Sequence, residues 1–408
     1  LPGPPPLMTA LIDALLLRNG YNAALVAIGA AVLGASAGAT GTFLVLRKRA
    51  LVSDAVSHAT LPGICLAFIA MTALGGDGRN LAGLMLGSAA TAGLGLVLVE
   101  WITRRTRLAE DAAIGAVLSV FFGFGVVLLT VIQNLPTGKQ AGLQGFLLGS
   151  TAGMLYSEAL LIAFGGALAA AAILVLRRPM TMVAFDPGYA ATAGVPVRTV
   201  DLAMMGLVMA ITVIGLKIVG LVLIVALLII PAVAARFWTE RSGHVAAIAA
   251  AIGGLSGYVG VALSASAPKL PTGPMVVLTC FALFVISLLM APARGILARA
   301  LRHRRFQIAV HRRQGLLALA HGEPVIEPLT LRILRRAGLI RADGVVTEAG
   351  RAQAAKALID ARRYEIARRM HHEEAIAGRL VGLEPIETVL TPDEIRVIDQ
   401  RLGVPRSV

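Results

Sequence analysis

The stretch LVSDAVSHATLPG, residues 51–63, sets Asp54 and His58 four residues apart inside a long apolar run. On a helix that spacing stacks a carboxylate and an imidazole on one face. Pro62 follows His58 by four, so its ring removes the amide that would bond the His58 carbonyl. Ionisable side chains within an apolar helix are costly and generally face a pathway or a partner, which makes the pair a candidate lining for the route of a charged species. On these residues alone a second reading stays open: Asp54, near Arg47–Arg49, caps the helix, and His58 is a hydrogen-bonded core histidine. Cys65 lies seven residues past His58, on roughly the same face. It is either a third, soft ligand or a buried small hydrophobe, and the second is the expected role.

Other chemistry is sparse. HHEE at 371–374 offers His371, His372, Glu373 and Glu374, with Glu365 nearby, as candidate ligands of a regulatory metal, but the H-E-x-x-H pattern is absent and so is a nucleotide-binding loop. An enzyme is not expected, and if ATP powers the protein, hydrolysis belongs to another polypeptide. Cys65 and Cys280 are the two cysteines of the chain; both sit in apolar runs and give neither a disulfide framework nor zinc-ligand spacing.

The elements that must hold Asp54 and His58 follow from composition. The 408 residues are 57% hydrophobic and 15% charged, with 44 Gly and a mean hydropathy of +0.80, which excludes an ordinary soluble domain and indicates a polytopic membrane protein. Apolar runs of spanning length recur at roughly 21–46, 51–75, 81–101, 112–132, 154–176, 199–216, 218–238, 244–264 and 273–293. The sixth and seventh meet at GLKIVG, 215–220, which reads as a tight outer turn or an interrupted helix, so eight or nine spans are expected. Basic residues gather at Arg47–Arg49, Arg104–Arg107, Arg177–Arg198, Arg236–Arg241 and beyond Arg294, while the alternate loops are poor in charge. The positive-inside rule makes the basic set cytoplasmic. Small residues fill the spans and allow close helix packing. Glu110 and Asp111 suit a helix N-terminus, and Glu158 and Asp201 read as interfacial. Residues 1–7, LPGPPPL, look like a lead-in rather than a signal peptide, and 7–18 suits a helix lying on the membrane.

Four stretches, in order, carry a family resemblance covering about residues 15–295. SDAVSHATLPG resembles the D-A-x-S-H-A-x-L-P-G signature of ABC importer permeases for manganese, zinc and iron. RLAEDAAIG, 107–115, resembles their E-D-x-A-I-G segment. AFDPGYAATAGVPV, 184–197, resembles their cytoplasmic F-D-P loop, and LKIVGLVLIVALLIIPAVAAR, 216–236, their K-x-V-G…L-L-I-I-P-A segment. The resemblance implies that Asp54 and His58 line the metal path, and an oxygen with an imidazole nitrogen suits borderline divalent metals. It implies a dimer with a second copy or a paralogue, whose own pair completes a four-ligand site. A separate cytoplasmic ATPase and an extracytoplasmic metal-binding protein are the further partners. The transported metal is manganese, zinc or iron, and no permanently bound cofactor is expected. Asp186, Pro187, Gly188, Ala193 and Gly194 then belong to a short cytoplasmic helix seated in the ATPase, with Gly194–Val195–Pro196 as its stop. The alternatives are a proton-coupled secondary metal transporter, against which the 184–197 loop argues, and a membrane-tethered metal-responsive regulator.

From Arg294 onward the chain holds 21 of its 37 Lys and Arg and 13 of its 23 Asp and Glu, the mark of a separate soluble domain. The basic stretch ARALRHRRFQIAVHRR suits an anchor on anionic lipid. EPLTLRILRRAGLI, RADGVVTEAG with its D-G turn, and the long amphipathic run after it resemble the winged-helix domain of diphtheria-toxin-repressor-like metalloregulators. The recognition helix would be 328–338, with Arg332, Arg335 and Arg336 on or beside its exposed side. That charge suffices for weak phosphate binding; sequence-specific DNA binding is not expected. The expected architecture is thus an all-α polytopic membrane protein with a small cytoplasmic winged-helix α+β domain, in the bacterial inner membrane. Its parts are a lead-in (1–20), a permease domain (21–293), a basic linker (294–312) and a winged-helix-like domain (313–408).

Overall fold

The computed structural model describes residues 12–18, 20–76, 78, 80–134, 156–266, 270–370, 383 and 385–402. The chain divides into two compact units, Leu1–Ala298 and Arg299–Val408. In the first, helices run α1 Tyr21–Leu46, α2 Ala50–Ala73, α3 Leu81–Arg105, α4 Glu110–Gln133, α5 Tyr156–Phe185, α6 Pro187–Thr192, α7 Val197–Val219, α8 Leu221–Ala235, α9 Ser242–Ala265 and α10 Thr272–Met290. Among the described residues, eight helices are long and apolar enough to cross a membrane. The 15 residues of α8 reach only about 22 Å, short of the ~30 Å hydrocarbon core. GLKIVG is an interrupted helix: Gly220 takes φ 87°, a left-handed conformation that glycine adopts readily, and α7 stops where α8 begins. The separate full-length span expected at 218–238 is therefore a shorter helix of 15 residues.

Glycine spacing explains the close packing of α1 on α9. Ala30, Gly34 and Gly38 on α1 lie four apart, as do Ala249, Gly253 and Gly257 on α9, and each series forms one helical face. A Cβ on Gly34 would lie 2.1 Å from the Gly253 carbonyl oxygen, so the two backbones touch directly. The pairs run 30 with 257, 34 with 253 and 38 with 249, which makes the helices antiparallel. The same device joins α2 to α3, where a Cβ on Gly63 would meet the Gly87 carbonyl at 2.1 Å. The letters G-x-S-x-G occur as GASAG at 34–38, but Ser36 is buried in mid-helix and donates to the Val32 carbonyl, so this is packing and not a nucleophile elbow. Around the α1–α9 seam, Leu33, Ile211, Ile224, Leu227 and Leu228 build the main core.

The second unit holds α11 Ile296–Ala320, α12 Pro328–Arg336, α13 Glu348–Met370 and α14 Pro392–Leu402. Leu316, Leu334, Leu339, Ile340 and Ala354 form one small core; Tyr364, Ala367, Ile386, Leu390 and Ile398 form another. Arg363 grips Asp399 with two bonds of 2.7 Å, and that pairing raises its already high pKa further. The expected α+β class is not shown. Among the described residues the tail is mostly helical, with one isolated antiparallel bridge, Ile340 to Val346. The cause is local. The D-G turn closes with the Val345 amide donating to Asp343 and Gly344 at φ 89°, and α13 begins at Glu348, before further pairs can form.

Candidate functional site

Helix α1 ends at Leu46 with Arg47 as its C-cap, and α2 begins with Arg49 as its N-cap. The joint is a three-residue turn in which Lys48 takes φ 61°. Asp54 therefore lies a full turn inside α2 and does not cap it. Arg49 turns to Glu110 and Asp201 instead of to Asp54. By helical rise, Asp54 sits about 7 Å and His58 about 13 Å beyond Arg49.

Most of α2 is buried, but Leu51, Asp54, His58, Leu66 and Ala70 follow one stripe that its own chain leaves partly open. The Asp54 side chain is 39% exposed and that of His58 17%, and Nε2 of His58 lies 3.4 Å from Oδ1 of Asp54. The His58 ring meets Phe122 of α4 edge-on at 4.8 Å, and its Nδ1 is buried without a hydrogen-bond partner. Pro62 stands inside α2, which continues through it to Ala73. Cys65 is fully buried among Leu61, Ile64 and Phe68, and its thiol donates weakly to the Gly125 carbonyl at 3.8 Å. Among the described residues no three His, Cys, Asp or Glu side chains gather into a metal-sized group. One chain thus brings one oxygen donor and one imidazole together, with Cys65 held in the core.

The 184–197 loop is built as a knob. Asp186 caps α6, its Oδ1 accepting from the Tyr189 amide at 2.9 Å, and Pro187 occupies the first helical position. The stop is at Gly194, φ 81°, where the Val195 amide donates to the Ala190 carbonyl. Ala190 alone of this helix is buried, against Phe43, Met180, Val183 and Val200; Pro187, Gly188, Ala193 and Gly194 are exposed, and Phe185 and Tyr189 are 67% and 64% exposed.

Sequence reasoning missed the charged cluster beside this knob. Asp201, expected at an interface, is 17% exposed and paired with Arg47 at 3.1 Å and Arg49 at 3.5 Å. Glu110 and Asp111 do open α4, and Glu110 also bonds Arg49 at 2.8 Å. The partners are distant in sequence, and no local pattern announces them. In the tail, Arg332, Arg335 and Arg336 are exposed on α12. His371, His372, Glu373 and Glu374 lie outside the described residues, and so does the side chain of Glu158.

The family model of the ABC 3 transport family matches residues 21–291. The chain is 39% identical over 298 residues, 73% of its length and 67% of the relative's, to the manganese transport system membrane protein MntC of Bacillus subtilis (strain 168). It is 37% identical over 292 residues, 72% of its length and 96% of the relative's, to the zinc transport system membrane protein TroC of Treponema pallidum (strain Nichols). Among solved structures, PsaBC from Streptococcus pneumoniae in complex with Fab superposes with a TM-score of 0.61 at 27% identity, over 73% of this chain and 99% of that one. With the membrane helices, the signature pair and the capped knob on the matched segment, the chain is a multi-pass membrane protein that belongs to the ABC 3 transport family.

Proposed function

We propose that this chain is the permease subunit of an ATP-driven importer that carries a divalent transition metal, manganese or zinc foremost, across the bacterial inner membrane. The observation that carries the proposal is the Asp54–His58 pair on the partly open stripe of α2, in a chain whose relatives are named for manganese and zinc transport. A carboxylate oxygen and a neutral imidazole nitrogen bind such a metal together. Two donors are fewer than a divalent cation needs in a low-dielectric path. A second permease copy or a paralogue, set against the open stripe, supplies the rest.

Energy comes from a separate ATPase chain, for which the exposed aromatic rim of α6 is the seat. The metal arrives from an extracytoplasmic binding protein. The basic loops support a cytoplasmic side for α6 and the tail, and the basic stretch of α11 suits anionic lipid. The test is reconstitution of the permease with its ATPase in vesicles. Manganese- or zinc-stimulated ATP hydrolysis and ATP-dependent metal accumulation are expected. Accumulation driven by a proton gradient without ATP would instead establish a secondary transporter.

For the tail, the order helix, helix, tight hairpin, long helix supports a winged-helix-like module. Its role is protein interaction or dimerisation that adjusts transport to cytoplasmic conditions. A complex truncated at about Arg312 is expected to assemble and to transport, with an altered response to cytoplasmic metal. The full-length protein is expected to bind duplex DNA weakly and without sequence preference, its affinity collapsing as salt rises in a titration. Tight, sequence-specific binding at physiological salt would make it a membrane-tethered regulator as well.

A further inference from the structure

One end of the helix bundle holds a charge cluster that metal binding does not use. Arg47 donates from Nη1 to the Val183 carbonyl at 2.9 Å and from Nη2 to Oδ2 of Asp201 at 3.1 Å. Val183 is on α5, just before the α6 knob, and Asp201 is on α7, just after it. One guanidinium thus ties together the two legs of the knob. Arg49, two residues on, reaches the same Oδ2 of Asp201 at 3.5 Å and bonds Glu110 of α4 through Nε. Since Arg47 caps α1 and Arg49 caps α2, the shared carboxylate joins the legs of the knob to the N-cap of the helix that carries Asp54 and His58.

We infer that Arg47, Arg49 and Asp201 are positioning residues that carry displacement of the α6 knob to α2. Half of this rests on the reading of α6 as the ATPase-facing element. These side chains are only 16–24% exposed, so water screens the pairs weakly and the joined elements move together. The guanidinium forks fix direction as well as distance. Two atoms of the cluster, Nε of Arg47 and Oδ1 of Asp201, are buried without partners, which leaves capacity for an exchange of bonds as the legs shift. A cavity of about 120 Å³ adjoins it, lined by Arg49, Glu100, Glu110, Arg198 and Asp201 among others, and gives the side chains space for that exchange. A staple that merely stabilised the bundle would need neither the shared oxygen nor the room.

The test uses the full complex with its ATPase. Leu51→Cys places a label on the first turn of α2, at the end of the stripe set against the second permease copy, where it reads movement of α2 relative to that copy, while the native Cys65 and Cys280 are buried. A nitroxide there is expected to change its spectrum between the nucleotide-free and vanadate-trapped states. Asp201→Asn is expected to abolish that change and to lower metal moved per ATP about five-fold or more, and Asp201→Glu to restore both. If Asp201→Asn does not assemble, Arg49→Lys, which keeps the charge and loses the fork, is measured with the same expected losses. Persistence of either the spectral change or the normal stoichiometry in the variant overturns the inference, as does a label that never responds to nucleotide. The metal-path reading fails separately: Asp54→Ala is expected to stop transport while the nucleotide-dependent change persists.

Discussion

Asp54→Ala and His58→Ala are each expected to abolish metal uptake while the permease still assembles with its ATPase. Loss of one donor from a two-donor set in a low-dielectric path leaves the cation poorly desolvated. Even partners that only orient a metal ligand are worth about 10–100-fold in metal affinity, so loss of a ligand is expected to cost uptake ~100-fold or more. Asp54→Ala opens no large cavity, since Asp54 is 39% exposed, whereas His58, 17% exposed, also loses its edge contact with Phe122. Asp54→Asn separates charge from shape, since it retains the size and loses the anionic oxygen. Isotope uptake by vesicles loaded with ATP measures all three. Normal rates for both alanine variants would remove the pair from the path.

Ala193→Glu is expected to break the link between hydrolysis and transport, with metal moved per ATP falling about ten-fold or more, the upper part of what allosteric couplings commonly reach. The argument is steric and electrostatic. Ala193 is exposed, so its own fold accepts the longer side chain without a clash. A charge forced into a partner's groove must be desolvated without a counter-ion. Gly194→Arg acts at the same surface but adds backbone strain, because Gly194 holds φ 81° and a non-glycine residue there costs about 1–2 kcal/mol. The two variants together separate seating from helix termination. The readout is parallel measurement of phosphate release and metal uptake, with circular dichroism to establish that the helices persist. Unchanged stoichiometry in Ala193→Glu would return α6 to the status of an ordinary solvated loop.

What could be read from sequence is what local pattern determines. Long apolar runs give membrane helices because a helix satisfies its whole backbone within one segment, as lipid requires. Asp186–Pro187 and Gly194 give the start and stop of α6 because capping is chemistry of neighbours. Asp54 and His58 stand out because ionisable groups are rare in such runs. Asp201 did not stand out: its partners, Arg47 and Arg49, are some 150 residues away, and only the packing of α1, α2 and α7 joins them. The α+β class expected for the tail is not shown, for a related reason. A D-G turn with β-branched neighbours marks a hairpin, but its length depends on where the next helix starts, and Glu348 begins α13 directly after Thr347. At Gly220 the pattern alone left two outcomes open, and a single positive φ decided between them.

The α1–α9 seam bears on how the protein is made. Gly34 and Gly253, whose backbones touch, are synthesised more than 200 residues apart, which at ~5–20 residues per second means about 10–40 s on the ribosome. Throughout that interval Gly34 lacks its partner; α8, made earlier, closes only the Gly41 end of that face, where a Cβ would lie 1.7 Å from the Leu228 carbonyl oxygen. The seam cannot zip progressively from one end of the chain; it forms late, when a nearly complete set of helices is already inserted. A nascent chain stalled before residue 242 therefore displays an unfilled groove of bare backbone along α1, a mark by which membrane quality control can tell an unfinished molecule from a finished one.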